Sequence, residues 1–125
     1  MGIDLFDKET NDICFSINFW HWRAIVEEIR RLNLFSEELV DSLHESYCNN
    51  GLNKEECLLV AQTLNETIIP KLSDTERILF NGERTEEPDD CVFHKVDVEK
   101  NYSTNKKVLV EFVECLERCN GFEVF

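Results

Sequence analysis

The sharpest periodicity in the chain runs from Asn18 to Asn33, where Trp22, Ile25, Val26, Ile29 and Leu32 fall on one helical face. Asn18 is a ready N-cap, because its side-chain oxygen can accept an orphan N–H of the first turn. Arg30 and Arg31 meet the negative end of the helix dipole. Phe19 lies beside the apolar stripe. Trp20, two residues from Trp22 and so about 200° around the wheel, points instead toward Arg23, Ala24 and Glu27. The pattern therefore predicts one core tryptophan and one that needs either a cover or a partner.

Ahead of this helix, Ile3 and Leu5, then Ile13, Phe15 and Ile17, alternate with polar residues around the polar stretch Asp7 to Asp12. That alternation predicts a β-hairpin with the named residues turned inward beneath the helix. After it, Ser36 caps a shorter helix with Glu37 and Glu38 in its first turn and Leu39, Val40, Leu43 and Tyr47 as its apolar set, stopped by Asn49-Asn50-Gly51. Asn53 and Glu56 form a capping box for a third helix carrying Cys57, Val60, Ala61, Leu64 and Ile68. Pro70 should end or kink that helix near Ile69. Residues 73–104 are an irregular acidic insert. Asn81-Gly82 is a turn signal there, and the apolar runs Ile78–Phe80 and Val92–Val98 predict either a second hairpin or a lid. A fourth helix, capped by Ser103 or Thr104, presents Val108, Leu109, Phe112, Cys115, Leu116 and Cys119. Asn120-Gly121 stops it, and Phe122–Phe125 reads as a closing strand. The expected fold is α+β, with about four helices on a small antiparallel sheet formed by the N-terminal hairpin and the C-terminal strand, in one domain over residues 1–125.

Four stretches carry a resemblance. Gly2-Ile3-Asp4-Leu5, the helix start Phe19-Trp20-His21-Trp22-Arg23, the Gly51–Leu64 segment, and Phe112–Leu116 followed by Asn120-Gly121-Phe122-Glu123-Val124 resemble a set of small uncharacterised bacterial proteins. Those proteins share an N-terminal hairpin, a tryptophan-rich helix start and a terminal Gly-Phe-Glu-aliphatic strand. The resemblance implies a shared fold and a bacterial cytoplasm. It supplies no activity and no catalytic residue, and it does not extend to residues 73–104.

Charge changes the picture more than hydropathy does. The net charge is −13, with −5 in residues 36–72 and −5 in residues 73–105. A field of that sign repels nucleic acid and anionic lipid and attracts basic proteins or cations. No basic-then-apolar leader and no membrane-length apolar window occurs, and Phe6 stands where a myristoylation motif needs Ser or Thr. Six cysteines in such a chain read as reduced thiols, so a cytoplasmic location is expected.

Candidate chemistry is sparse. Cys91-x-x-His94 with Cys115-x-x-x-Cys119 has four zinc-type ligands, but Cys115 and Cys119 lie on an apolar helix stripe where packing is the simpler account. For the same reason Cys57, Cys115 and Cys119 are expected to be buried, with raised thiol pKa values. His44 and Cys48 are one helical turn apart without a visible oxyanion hole, and the acidic run lacks the alternating spacing of a calcium loop. No catalytic residue, metal ligand or cofactor is assigned. The expected function is a non-enzymatic acidic binding protein that sequesters a basic protein, such as an immunity protein or antitoxin. Trp20, Arg23, Glu83, Glu86, Glu87, Asp89 and Asp90 are its candidate partner-binding residues. The alternative is a small Cys/His metal-binding protein or enzyme.

Overall fold

The computed structural model describes residues 2–44, 50–86 and 102–125. The chain begins with strands β1 (Gly2–Asp7) and β2 (Ile13–Asn18), then helices α1 (Phe19–Arg31) and α2 (Glu37–Ser42). Strand β3 (Gly51–Leu52) leads into helix α3 (Lys54–Thr63), followed by strands β4 (Arg77–Leu79), β5 (Arg84–Thr85) and β6 (Ser103–Asn105). Helix α4 (Lys106–Arg118) and strand β7 (Phe122–Val124) close the chain. This is an α+β fold, with two antiparallel sheets among the described residues.

The hairpin and the C-terminal strand form one sheet, as the alternation predicts, with strand order β2-β1-β7-β3. Leu5 stands opposite Phe15 on one side and Val124 on the other, and Leu52 opposite Phe122. Ile3, Leu5, Phe15, Leu52, Phe122 and Val124 are buried in the same core as Trp22, Ile25, Val26 and Ile29 of α1 and Leu109, Phe112 and Leu116 of α4. The opposite face carries Ser16 donating to Asp4 at 2.7 Å and Phe6 edge-on to Phe125 at 5.0 Å.

The alternation breaks near the start of β2. Phe15 pairs with Leu5 and Ile13 with Phe6, so Cys14 is an extra, bulged residue. A bulge re-aims side chains by breaking the period of two. Ile13, expected inside, is 53 % exposed, while Cys14 is partly buried and packs against the core.

The Asp7 carboxylate ties the hairpin turn to the C-terminal segment. Oδ1 accepts from Glu9 N at 2.8 Å and Oδ2 from Asn120 N at 3.2 Å. Burial opposes its ionisation, but the backbone donors of Glu9, Thr10 and Asn120 outweigh that and hold its pKa below the ordinary value.

α1 is buried on both sides, which accounts for its two tryptophans on opposing faces. Trp22 is wholly enclosed, edge-on to Phe112 at 5.8 Å and to Phe122 at 6.3 Å, and its indole N–H donates to the Leu43 carbonyl at 2.7 Å. The opposite face, with Ala24 and Glu28 buried, lies toward a second sheet of strand order β5-β4-β6. Buried Glu28 accepts from Arg31 Nε at 3.1 Å, and Arg31 Nη1 reaches the Phe80 carbonyl at 3.3 Å, linking the helix to the end of β4. Asn18, Ser36 and the Asn53–Glu56 box cap their helices as expected.

The second sheet corrects the reading of residues 73–104. Ile78 and Leu79 form β4, and Asn81-Gly82 turns the chain, with Gly82 N donating to Leu79 O at 2.8 Å. The partner strands are β5 and β6. The run Val92–Val98 lies outside the described residues, as does Tyr47. Ser103 and Thr104, expected to cap α4, are used instead by the ladder to Leu79 and Ile78, and Arg77 Nη1 donates to Ser103 Oγ at 3.0 Å. The cap passes to Asn105, which accepts from Val108 N at 2.9 Å. α3 ends earlier than expected, at Thr63. It continues as a π-turn over Leu64–Ile68 and a 3₁₀ turn over Ile69–Lys71, because Pro70 has no N–H to extend the α ladder.

Gly51 sits where β3 crosses β7: a Cβ there would lie 1.8 Å from the Phe122 carbonyl oxygen. Gly51→Ala is therefore expected to break the β3–β7 pairing and destabilise the fold by at least the roughly 1–3 kcal/mol typical of overpacking. Urea unfolding checks this; a midpoint equal to wild type would contradict the close approach.

Candidate functional site

The residues named from sequence as partner-binding fall into two groups. Trp20 leaves the first turn of α1 and is half-buried. Its ring stacks on Tyr102 at 5.2 Å and 29°, and meets Phe19 edge-on at 5.4 Å. Tyr102 in turn meets Phe80 edge-on at 5.8 Å. Among the described residues, Trp20 is thus covered by the residue that enters β6 and by its neighbour Phe19. Arg23 lies with its guanidinium carbon 4.6 Å from the Phe19 ring centre and 6.0 Å from that of Tyr102. Its Nε is buried without a hydrogen-bond partner among the described residues. The guanidinium is thus placed for cation–π contact, chiefly with Phe19.

The second group starts where this aromatic ladder ends. Phe80 opens the β4–β5 turn that carries Glu83, and Glu86 follows β5; both carboxylates are exposed. Glu86 accepts from Thr75 Oγ1 at 3.2 Å. Glu87, Asp89 and Asp90 lie outside the described residues. The structure therefore brings Trp20, Arg23 and the Glu83 turn into one contiguous region through Tyr102 and Phe80, two residues that sequence reasoning left unused.

The cations of α1 leave little positive charge to offset the acidic excess. Arg30 donates to Glu27 at 3.2 Å and also to Glu37 and Asp41, and Asp41, with Glu27 and Glu37 behind it, raises its pKa further. His44 Nε2 lies 2.9 Å from Glu27 Oε2, so His44 is held by a carboxylate. Cys48, its suggested partner, is outside the described residues.

A separate constellation lies at the C-terminal end of α4. Cys115 and Cys119, one turn apart, are joined by bulged Cys14, and the three sulfur atoms lie within 4.8 Å of one another. Cys57, in the first turns of α3, places its sulfur 3.9 Å from that of Cys119. All four are free thiols; Cys57, Cys115 and Cys119 are buried and Cys14 is half-buried. Burial of the helix cysteines matches the apolar pattern, but their pKa values do not share one direction. Cys119 is pulled well below the ordinary thiol range by bonds from Cys115, Cys14 and Cys57 and by the Gly121 N–H, against the effect of burial. Cys115 and Cys57 are pushed up, each first by its bond to Cys119 and also by burial. For Cys14, the bond with Cys115 lowers the pKa, but its bond to Cys119 and burial outweigh that and push it up to about 11. Burial acts upward on all three helix cysteines as expected, and at Cys119 the bonds from the neighbouring thiols oppose it.

Sequence reasoning paired Cys115 and Cys119 with Cys91 and His94, which are outside the described residues. It missed Cys14, because period-two alternation gave that position no inward role, and it missed Cys57 as a neighbour, because the contact joins two helices distant in sequence. No helix among the described residues is long and apolar enough to cross a membrane. No protein-family model, curated protein or solved structure matches the chain.

Proposed function

We propose that this chain is an acidic binding protein that engages a basic protein partner, in the manner of an immunity protein or antitoxin acting in the cytoplasm on a cationic toxin. The observation that supports it is the half-buried ladder Trp20–Tyr102–Phe80 running directly into a turn with exposed Glu83, in a chain of net charge −13. Tryptophan and arginine anchors dominate binding hot spots, and a surrounding acidic field steers cationic partners toward them. Arg23, with its guanidinium over the Phe19 ring, stands beside the ladder as its second anchor.

The test is capture from the source cell, identification of the captured protein, and titration of the purified pair. The expected partner is strongly basic, and Trp20→Ala is expected to weaken binding by a hot-spot-sized loss of about 2 kcal/mol or more. An acidic partner, or unchanged affinity in both Trp20→Ala and Glu83→Gln, would overturn this reading.

A further inference from the structure

We propose that Cys14, Cys57, Cys115 and Cys119 form a tetrathiolate site for a soft divalent cation of the zinc class. The four come from four places in the fold: the β2 bulge, the start of α3, the last turn of α4 and the residue that caps it. Only the folded chain assembles them. A zinc–sulfur bond of about 2.3 Å sets tetrahedral sulfur–sulfur edges near 3.8 Å. The Cys57–Cys119 separation of 3.9 Å already matches such an edge. Cys14, Cys115 and Cys119 lie mutually within 4.8 Å and Cys57 joins them through Cys119, so closing the tetrahedron takes side-chain rotation at Cys57 as well as within the trio.

Chemistry around the cluster favours a metal over bare thiol packing. Gly121 adopts φ +92°, and a Cβ there would come within 2.9 Å of the Leu52 carbonyl, so glycine lets the chain that follows Cys119 turn this close to β3. Three cations ring the cluster. Lys54 Nζ donates to the Cys119 carbonyl at 3.1 Å, Arg118 Nη2 to the Cys14 carbonyl at 3.3 Å, and the Lys8 side chain lies beside Gly121. None of the three is in an ion pair among the described residues. Four thiolates around a divalent ion leave a local charge of −2, and these cations offset it. An all-sulfur donor set selects against calcium and magnesium, which take oxygen. Half-buried Cys14 leaves the ion a way in. Each thiol that binds gives up its proton to water, so affinity falls as pH falls.

The experiment uses the reduced, metal-stripped full chain titrated with Co²⁺ and then Zn²⁺. One equivalent is expected to bind, with thiolate charge-transfer bands and the strong visible bands of tetrahedral cobalt, and zinc is expected to displace it. Cys14→Ser and Cys119→Ser are each expected to weaken zinc binding by more than the roughly 10–100-fold that loss of an outer-shell partner costs. Cys48→Ser and Cys91→Ser are expected to bind as wild type. Should Cys119→Ser fail to fold, alkylation of the wild-type chain decides the matter: zinc should slow modification of half-buried Cys14 in the folded protein. Folded reduced protein that takes up no metal, full affinity in Cys14→Ser, loss of binding in Cys48→Ser or Cys91→Ser, or zinc that leaves alkylation unchanged would each overturn the proposal.

Discussion

Truncating Trp22 to alanine is expected to cost about 3–5 kcal/mol of folding stability, the range for a large aromatic removed from a packed interior. The ring is wholly buried between Phe112 of α4 and Phe122 of β7, so its removal opens a cavity where α1, α4 and the main sheet meet. Its indole N–H also satisfies the Leu43 carbonyl at the end of α2, and leaving that buried acceptor unpaired adds to the loss. Against a total stability of about 5–15 kcal/mol for a domain of ordinary size, the variant should be close to unfolding. Trp22→Phe keeps an aromatic ring in the core but loses the donor and the volume of the second ring, so its cost should fall between wild type and Trp22→Ala. Trp20→Ala should cost less than Trp22→Ala, since Trp20 is half-buried and a stacked aromatic pair contributes about 0.5–1.5 kcal/mol beyond its buried area. Urea unfolding of the three variants gives the order. Equal losses for Trp20→Ala and Trp22→Ala would make both rings core and remove Trp20 as an anchor.

The elements that could be read from sequence are those whose signal is local. The α1 stripe, its Asn18 cap, the Ser36 cap and the Asn53–Glu56 box each depend on residues within one or two turns, and the structure has all of them. The pairing of the hairpin with Phe122–Val124 was also legible, because neither ribbon is stable alone. Strands of two or three residues, such as β3, β5 and β6, are too short to show a period, and their partners are set by distant contacts. Ser103 and Thr104 are good cap residues, but the ladder to β4 takes them first. The candidate sites were harder still. Tyr102 covers Trp20 across more than 80 residues of sequence, and the thiol cluster depends on a one-residue bulge that no alternation pattern marks. Charge was legible as a total, but which carboxylates stand near the aromatic ladder needed the turn at Asn81-Gly82 in three dimensions.

Neutralising Glu83, Glu86, Glu87, Asp89 and Asp90 together to amides is expected to slow association with a cationic partner by tenfold or more at low salt, while leaving the unfolding midpoint near that of wild type. The five changes remove five of the chain's 13 net negative charges in one sequence neighbourhood, and Glu83 among them stands in the turn that follows Phe80 of the ladder. Electrostatic steering raises on-rates by about 10–10³-fold, so losing over a third of the field should show most clearly in the rate of encounter. Glu83 and Glu86 are exposed, and exposed carboxylates contribute at most about 1 kcal/mol each to stability, which is why the fold should hold. Salt supplies the internal check. At physiological ionic strength the Debye length is about 8 Å, so the wild-type on-rate should fall steeply as salt rises and converge on that of the neutralised chain. Off-rates should change little, because they report the short-range contacts of the aromatic anchor. An on-rate indifferent to salt and to the five amides would place recognition on the rings alone.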